Sequence, residues 1–181
     1  MGVAALSFRS RWMARRVVRD ESGAAAVEFS LVALPFFAML FAIIETSLSF
    51  FTSQVLETAV GDASRLIMTG QAQTGGMTQA QFRTEICNRL PSMFDCINNL
   101  TVDVRPAANF SAADVSRPID NGVISWTPMY NPGVAGDIIV VRVIYSVPTV
   151  TNVFGAALAS TEDGRMVLLA TSSFRNEPYT N

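Results

Sequence analysis

Glu28 is the side chain whose type and position together most suggest chemistry. It follows Gly23 by five residues in Ser22-Gly23-Ala24-Ala25-Ala26-Val27-Glu28-Phe29, at the mouth of a long apolar run. A charge in lipid costs on the order of a few kcal/mol, so an ionisable residue there is a functional candidate by default. Elsewhere the chemical inventory is thin. The chain has no histidine, which removes the usual general base and metal ligand. It contains no G-x-S-x-G elbow, no phosphate loop and no paired Cys/His nucleophile. Asp103, Asp114, Asp120 and Asp137 are scattered over strand, loop and turn, and read as solvated surface rather than as a carboxylate pair. Asp163 alone makes no calcium site. Trp126, Tyr130 and Tyr145 read as core packing or loop anchors rather than as a binding platform. The expectation is a protein that is not an enzyme, with no catalytic residue, metal or cofactor.

The two cysteines, Cys87 and Cys96, admit two readings. In an oxidising compartment they would form a disulfide, and closing so short a loop stabilises by about 2–3 kcal/mol in the chain-entropy model. Otherwise they are independent buried thiols. A zinc pair is disfavoured, because no histidine or further cysteine completes four ligands.

Charge divides the chain. Before Gly23, Arg9, Arg11, Arg15, Arg16 and Arg19 stand against Asp20 and Glu21, a net of +3. From Ala24 onward eight arginines face thirteen acids, a net of −5. An acidic main portion argues against a nucleic-acid partner. The arginine-rich end should stay cytoplasmic when the span inserts. From Ala24 to Ile44 the sole charged residue is Glu28, and about 20 apolar residues cross a bilayer as a helix. A cleaved secretory signal would need a small-residue site after the apolar run; Glu45-Thr46-Ser47-Leu48 offers none, and Ala24-Ala25-Ala26 lies on the wrong side. Glu45, near the outer end, reads as a helix-end charge that reaches water.

Beyond the span, Val55, Leu56, Ala59, Val60, Ala63, Leu66 and Ile67 recur at helical steps. No Gly, Pro or Asn interrupts the approach to them. The pattern predicts one helix from about Ala24 to Thr69, on the order of 70 Å long, stopped by Gly70 and carrying Pro35 within its lipid half. Thr78 to Leu90 predicts a second helix, capped by Thr78 or Thr84 and ended by Pro91. Leu100–Arg105, Asp137–Val147 and Arg165–Phe174 predict strands. Pro106–Pro118 and Trp126–Gly136 read as loops, Glu162-Asp163-Gly164 as a turn, and Phe154–Leu158 as a short helix. The fold class is α+β: a long N-terminal helix, transmembrane in its first half, with a small periplasmic domain of a short helix and about three β-strands. The segments are a basic leader 1–23, a transmembrane helix 24–45, and a helix extension plus α+β domain over 46–181. Roughly 130 residues outside leader and span suffice for one core.

Arg19, Gly23, Val27, Glu28 and Phe29 form an R-x-x-x-G-x-x-x-V-E-F core, followed by Leu34-Pro35 in an apolar run. Ala63, Arg65, Thr69 and Gly70 form A-x-R-x-x-x-T-G, and the chain ends in Phe174-Arg175-Asn176-Glu177-Pro178-Tyr179. With these features the chain resembles the TadE-like family of tight-adherence (Flp) pilus assembly proteins, mainly over its first seventy residues. It departs from bulk Flp pilins, which are tiny and lack a large soluble domain. The resemblance implies a processing site at Gly23, Ala24, Glu28 and Phe29, cut after Gly23 by a prepilin peptidase. It also implies an assembly contact at Glu28, paired with the new amine of a neighbouring subunit. Implied partners are other pilin-like subunits, Tad assembly proteins, the peptidase and membrane lipid. The implied role is a minor pilin or pseudopilin needed for pilus assembly and adhesion, located in the inner membrane or in a surface pilus. The alternative is an unprocessed single-span anchor presenting a periplasmic binding domain.

Overall fold

The computed structural model describes residues 23–92, 94–114, 116, 119–120, 123–148, 161 and 164–179. The arginine-rich leader, Phe154–Leu158 and Asp163 lie outside them. Helix α1 runs Ala24–Met68 and includes Pro35. Short helix α2 covers Gln71–Thr74, α3 covers Gln79–Cys87 and α4 covers Cys96–Asn99. Strand β1 is Leu100–Ala107. A 3-10 turn at Phe110–Ala112 precedes β2 (Ile119–Asp120) and β3 (Val123–Ile124), and β4 (Ile138–Pro148) and β5 (Arg165–Arg175) complete the order. The chain divides into two compact units, 1–44 and 45–181.

In the first unit the helix is long and apolar enough to cross a membrane, and the apolar window that meets that test is wholly unburied. Val27, Phe29, Leu31, Val32 and Leu34 each expose well over half of their surface. An all-round apolar helix with no protein partner is stable only where lipid or other helices cover it.

In the second unit the continuation of α1 becomes one-sided. Thr52, Leu56, Ala59, Val60, Ala63, Ser64 and Ile67 are buried, at the three- and four-residue steps that line one helix face. That face packs against an antiparallel sheet of order β1-β4-β5. Val102 lies opposite Val143, and Val143 opposite Ala170; these side chains share the core with Leu56, Val60 and Ile67. Central strand β4 is buried on both faces. Val140 and Ile144, on the side away from α1, are as inaccessible as Val141 and Val143, which accounts for the near-continuous apolar run of its sequence.

The local signals act as their chemistry requires. Gly70 takes φ +80°, the left-handed conformation that terminates helices. Thr78 caps α3 in a reciprocal box, its hydroxyl accepting from the Gln81 amide while Gln81 accepts from the Thr78 amide. Two expectations are corrected and one element is added. The segment after Arg105 is not loop throughout, since β1 continues to Ala107 and a two-strand ribbon β2-β3 follows. The break after Gly70 carries an extra turn, α2, that the sequence pattern did not predict. Glu45 does not face water: it is 5 % exposed within the second unit, on the same face as Thr52 and Leu56.

Candidate functional site

The N-terminal candidates stand at the first turn of α1. Gly23 precedes Ala24, the first residue of the helix, and Glu28 lies on its exposed surface between Val27 and Phe29. A Cβ built on Gly23 would meet no atom within 4 Å. Neither a close contact nor a left-handed backbone therefore requires glycine here among the described residues. Ser30 donates to the Ala26 carbonyl (2.7 Å). Small side chains at Ala26 and Ser30 leave an open groove bordered by Leu31, Leu34 and Pro35. Pro35 has no N–H, so the turn before it carries a carbonyl without its helical donor. Glu28 and Pro35 are seven residues apart, two helical turns, and share one side of the helix.

A second cluster is the one that sequence reasoning set aside. Asp103 is not solvated: its side chain is fully inaccessible, and that of Arg142, opposite it in the β1–β4 register, is 3 % exposed. Asp103 accepts from Arg142 Nε (3.2 Å) and Nη2 (3.1 Å), from Arg105 Nε (2.8 Å) and Nη2 (2.6 Å), and from the Met129 amide (2.9 Å). Arg142 Nη1 donates to Asp114 at 2.8 Å. The Trp126 ring covers the guanidinium at 4.7 Å, within cation–π range. Two arginines and two aspartates thus neutralise one another, the condition under which buried charge is tolerated. The hydrogen bond to Asp103 raises Arg105 above its ordinary pKa. The Ser116 hydroxyl and amide, aided by Arg142, hold Asp114 down to about 2. Both carboxylates are committed to guanidinium partners. The cluster fastens Asp114, Trp126 and the Thr127–Met129 backbone to the sheet face away from α1. Asp137 is used differently, accepting from the Val134 amide within its own turn (2.9 Å). The Asp120 side chain is not described.

The aromatic residues pack. Tyr130 meets Phe82 (centroids 5.9 Å apart) and Tyr145 meets Phe94 edge-on (6.0 Å); burial pushes the Tyr130 hydroxyl up to about 12. Cys87 and Cys96 form a disulfide with Cα atoms 5.6 Å apart. It ties the end of α3 to the start of α4, which runs directly into β1.

The structure also joins two sequence patterns that lie far apart in the chain. The Glu177 amide donates to the Met68 carbonyl (2.8 Å), satisfying an orphan group at the end of α1. A Cβ on Gly70 would fall 2.4 Å from Cγ of Tyr179. Asn176 is 2 % exposed and binds the 132–137 turn through its side chain, to Pro132 and Val134 carbonyls (both 3.0 Å), and through its backbone, to Asp137 (2.8 Å). The Ala63–Gly70 and Phe174–Tyr179 patterns are therefore two halves of one clasp. The turn-forming Gly70 and the C-terminal Phe174–Tyr179 run were visible in sequence; the meeting of Gly70 with Tyr179 was not.

These features define a class: an α+β domain built on the second half of a helix whose first half is long and apolar enough to span a membrane. Residues 23–65 match the family model described as TadE-like protein, in agreement with the resemblance carried by Gly23, Val27, Glu28 and Phe29. No curated protein and no solved structure matches the chain.

Proposed function

We propose that this chain is a minor pilin or pseudopilin-like, non-enzymatic component of a tight-adherence pilus system. In this reading it is processed after Gly23, inserted with its N-terminus cytoplasmic and its α+β domain periplasmic, and needed for pilus assembly, surface adhesion and biofilm formation. The observation that carries the reading is an unburied apolar helix that begins one residue after Gly23 and bears Glu28 within its first turns. The family match over 23–65 supports it. The free space around Gly23 supports it too, since nothing among the described residues needs glycine there. A peptidase that must bring its catalytic groups against the backbone does, because glycine has no Cβ.

In this mechanism a prepilin peptidase cuts between Gly23 and Ala24. The freed Ala24 amine of one subunit and Glu28 of its neighbour then pair, so that neither charge stands alone in a low-dielectric environment. Mass determination of the N-terminus, together with Gly23→Leu, Glu28→Ala and Glu28→Gln variants, tests it. The expected results are a chain beginning at Ala24, no cut in Gly23→Leu, and normal insertion but weak co-purification with pilin partners for both Glu28 variants. A native chain retaining Arg9–Arg19 in a piliated cell, or full assembly by both Glu28 variants, favours the plain-anchor reading instead.

A further inference from the structure

Exposed apolar side chains do not stop with the first unit. At the start of the second, Leu48, Phe50 and Phe51 expose 46 %, 68 % and 51 % of their surface. At 3.6 residues per turn they spread over an arc of about 160°, on the side of α1 away from buried Glu45 and Thr52. An apolar stripe of about 100° suffices to seat a helix on protein, whereas lipid calls for apolar cover on every free side. Hydroxyls in this stretch are engaged within the helix. Ser49 donates to the Glu45 carbonyl (2.9 Å) and Thr52 to the Leu48 carbonyl (2.8 Å), the back-bonding that such residues adopt in apolar surroundings. Past Phe51 the outward face turns polar. Gln54, Glu57, Thr58, Asp62 and Arg65 are exposed, and no large apolar residue of α1 is.

The fit to a bilayer decides where the membrane ends. Ala24–Phe51 is on the order of 42 Å of helix, against a hydrocarbon core of about 30 Å. Taking in all of it would require a tilt of about 45°, outside the observed range of ~0–40°. One end must stay out, and the two glutamates select which. Glu28 is exposed, so lipid around it would meet its charge directly. Glu45 is 5 % exposed and shielded by the second unit. About 20 residues counted back from Phe51 reach Val32, which leaves Glu28 outside the hydrocarbon.

We infer that Leu48, Phe50 and Phe51 form a lipid-facing collar that seats the α+β domain in the bilayer surface rather than above it. Hydrocarbon then covers α1 from about Val32 to Phe51, and Glu28 stays at headgroup level until a neighbouring subunit takes it up. The inference rests on the reading of α1 as a membrane span.

The test uses the full chain in vesicles of phosphatidylethanolamine and phosphatidylglycerol. Leu48→Cys, Phe50→Cys and Phe51→Cys each carry a nitroxide label, while Cys87 and Cys96 are occupied by their disulfide. EPR reads collisions with oxygen, which concentrates in hydrocarbon, and with a neutral nickel chelate, which stays in water. Labels at Met39→Cys, Val27→Cys and Glu57→Cys serve as references, and all three leave Glu28 in place. The collar labels are expected to match Met39→Cys, open to oxygen and closed to nickel, with Val27→Cys and Glu57→Cys the reverse. Nickel collisions at the collar with Met39→Cys protected would overturn the inference and leave the span standing. Nickel collisions at Met39→Cys as well would overturn the span itself. Collar labels closed to both reagents would show protein in place of lipid, and a Val27→Cys label closed to nickel would move the membrane back over Glu28; each result overturns the inference.

Discussion

Gly70→Ala should be costly for two separable reasons. Gly70 sits at φ +80°, and a left-handed conformation costs an ordinary L-residue about 1–2 kcal/mol. The added methyl would also stand 2.4 Å from Cγ and 2.5 and 2.8 Å from the δ carbons of Tyr179. Overpacking of this kind costs about 1–3 kcal/mol, giving roughly 2–5 kcal/mol in all if the two effects add. For a unit of this size each kcal/mol lowers Tm by about 3–6 °C, so a fall on the order of 10 °C is expected. The assay is thermal unfolding of the full chain in micelles, followed by tryptophan fluorescence. Removing the ring separates the contributions. In a Tyr179→Ala background the methyl no longer clashes, and Gly70→Ala should cost only the backbone part, about 1–2 kcal/mol. Gly70→Asn in that background should cost less still, because Asn tolerates this conformation better. A cost below about 0.5 kcal/mol in the wild type, or an equal cost with and without Tyr179, would refute the clasp, since contacting residues should show coupling of that size or more.

Asp103→Ala leaves the 3 %-exposed side chain of Arg142 with only the largely exposed Asp114 as its carboxylate partner and should destabilise by about 3–5 kcal/mol in chemical denaturation, whereas Glu85→Ala, which breaks an exposed pair, should cost under about 1 kcal/mol. Cys87→Ser with Cys96→Ser should cost about 2–3 kcal/mol, read as a Tm difference from the oxidised wild type. Because Asp114 is held down to about 2 from 3.8, its contribution is complete above the unfolded value and is lost as pH falls through the folded one. Asp114→Asn should therefore flatten the decline of Tm between about pH 4 and pH 2, by a small amount because the side chain is 56 % exposed. Gly61 lies within α1, where a Cβ would meet nothing within 4 Å; Gly61→Ala should raise stability by about 0.5–1 kcal/mol in the isolated chain.

What the sequence determined by itself was local. The apolar stretch from Ala24 to Ile44 needs no fold to be recognised, because length and composition alone decide whether a helix can cross lipid. Helical spacing from Val55 to Ile67, the stop at Gly70, the Thr78 cap and the three long strands rest on near-neighbour sterics and hydrogen bonding. The structure differs there by a residue or two at the ends, where assignments fray. The Gly23–Glu28 pattern was equally legible, being contiguous in the chain. Asp103 was misread, and its pairing with Arg142 unforeseen, for the opposite reason. They are 39 residues apart, and in sequence each is only a charge between apolar neighbours. Register alone sets them face to face, and register is chosen by the packing of Val102, Val141 and Val143 against α1, since a slip of one residue would send those valines to the other face. The same holds for Tyr179 over Gly70 and for the burial of Glu45. Such contacts depend on where the sheet and the C-terminal tail lie against the helix, and no short-range preference encodes that placement.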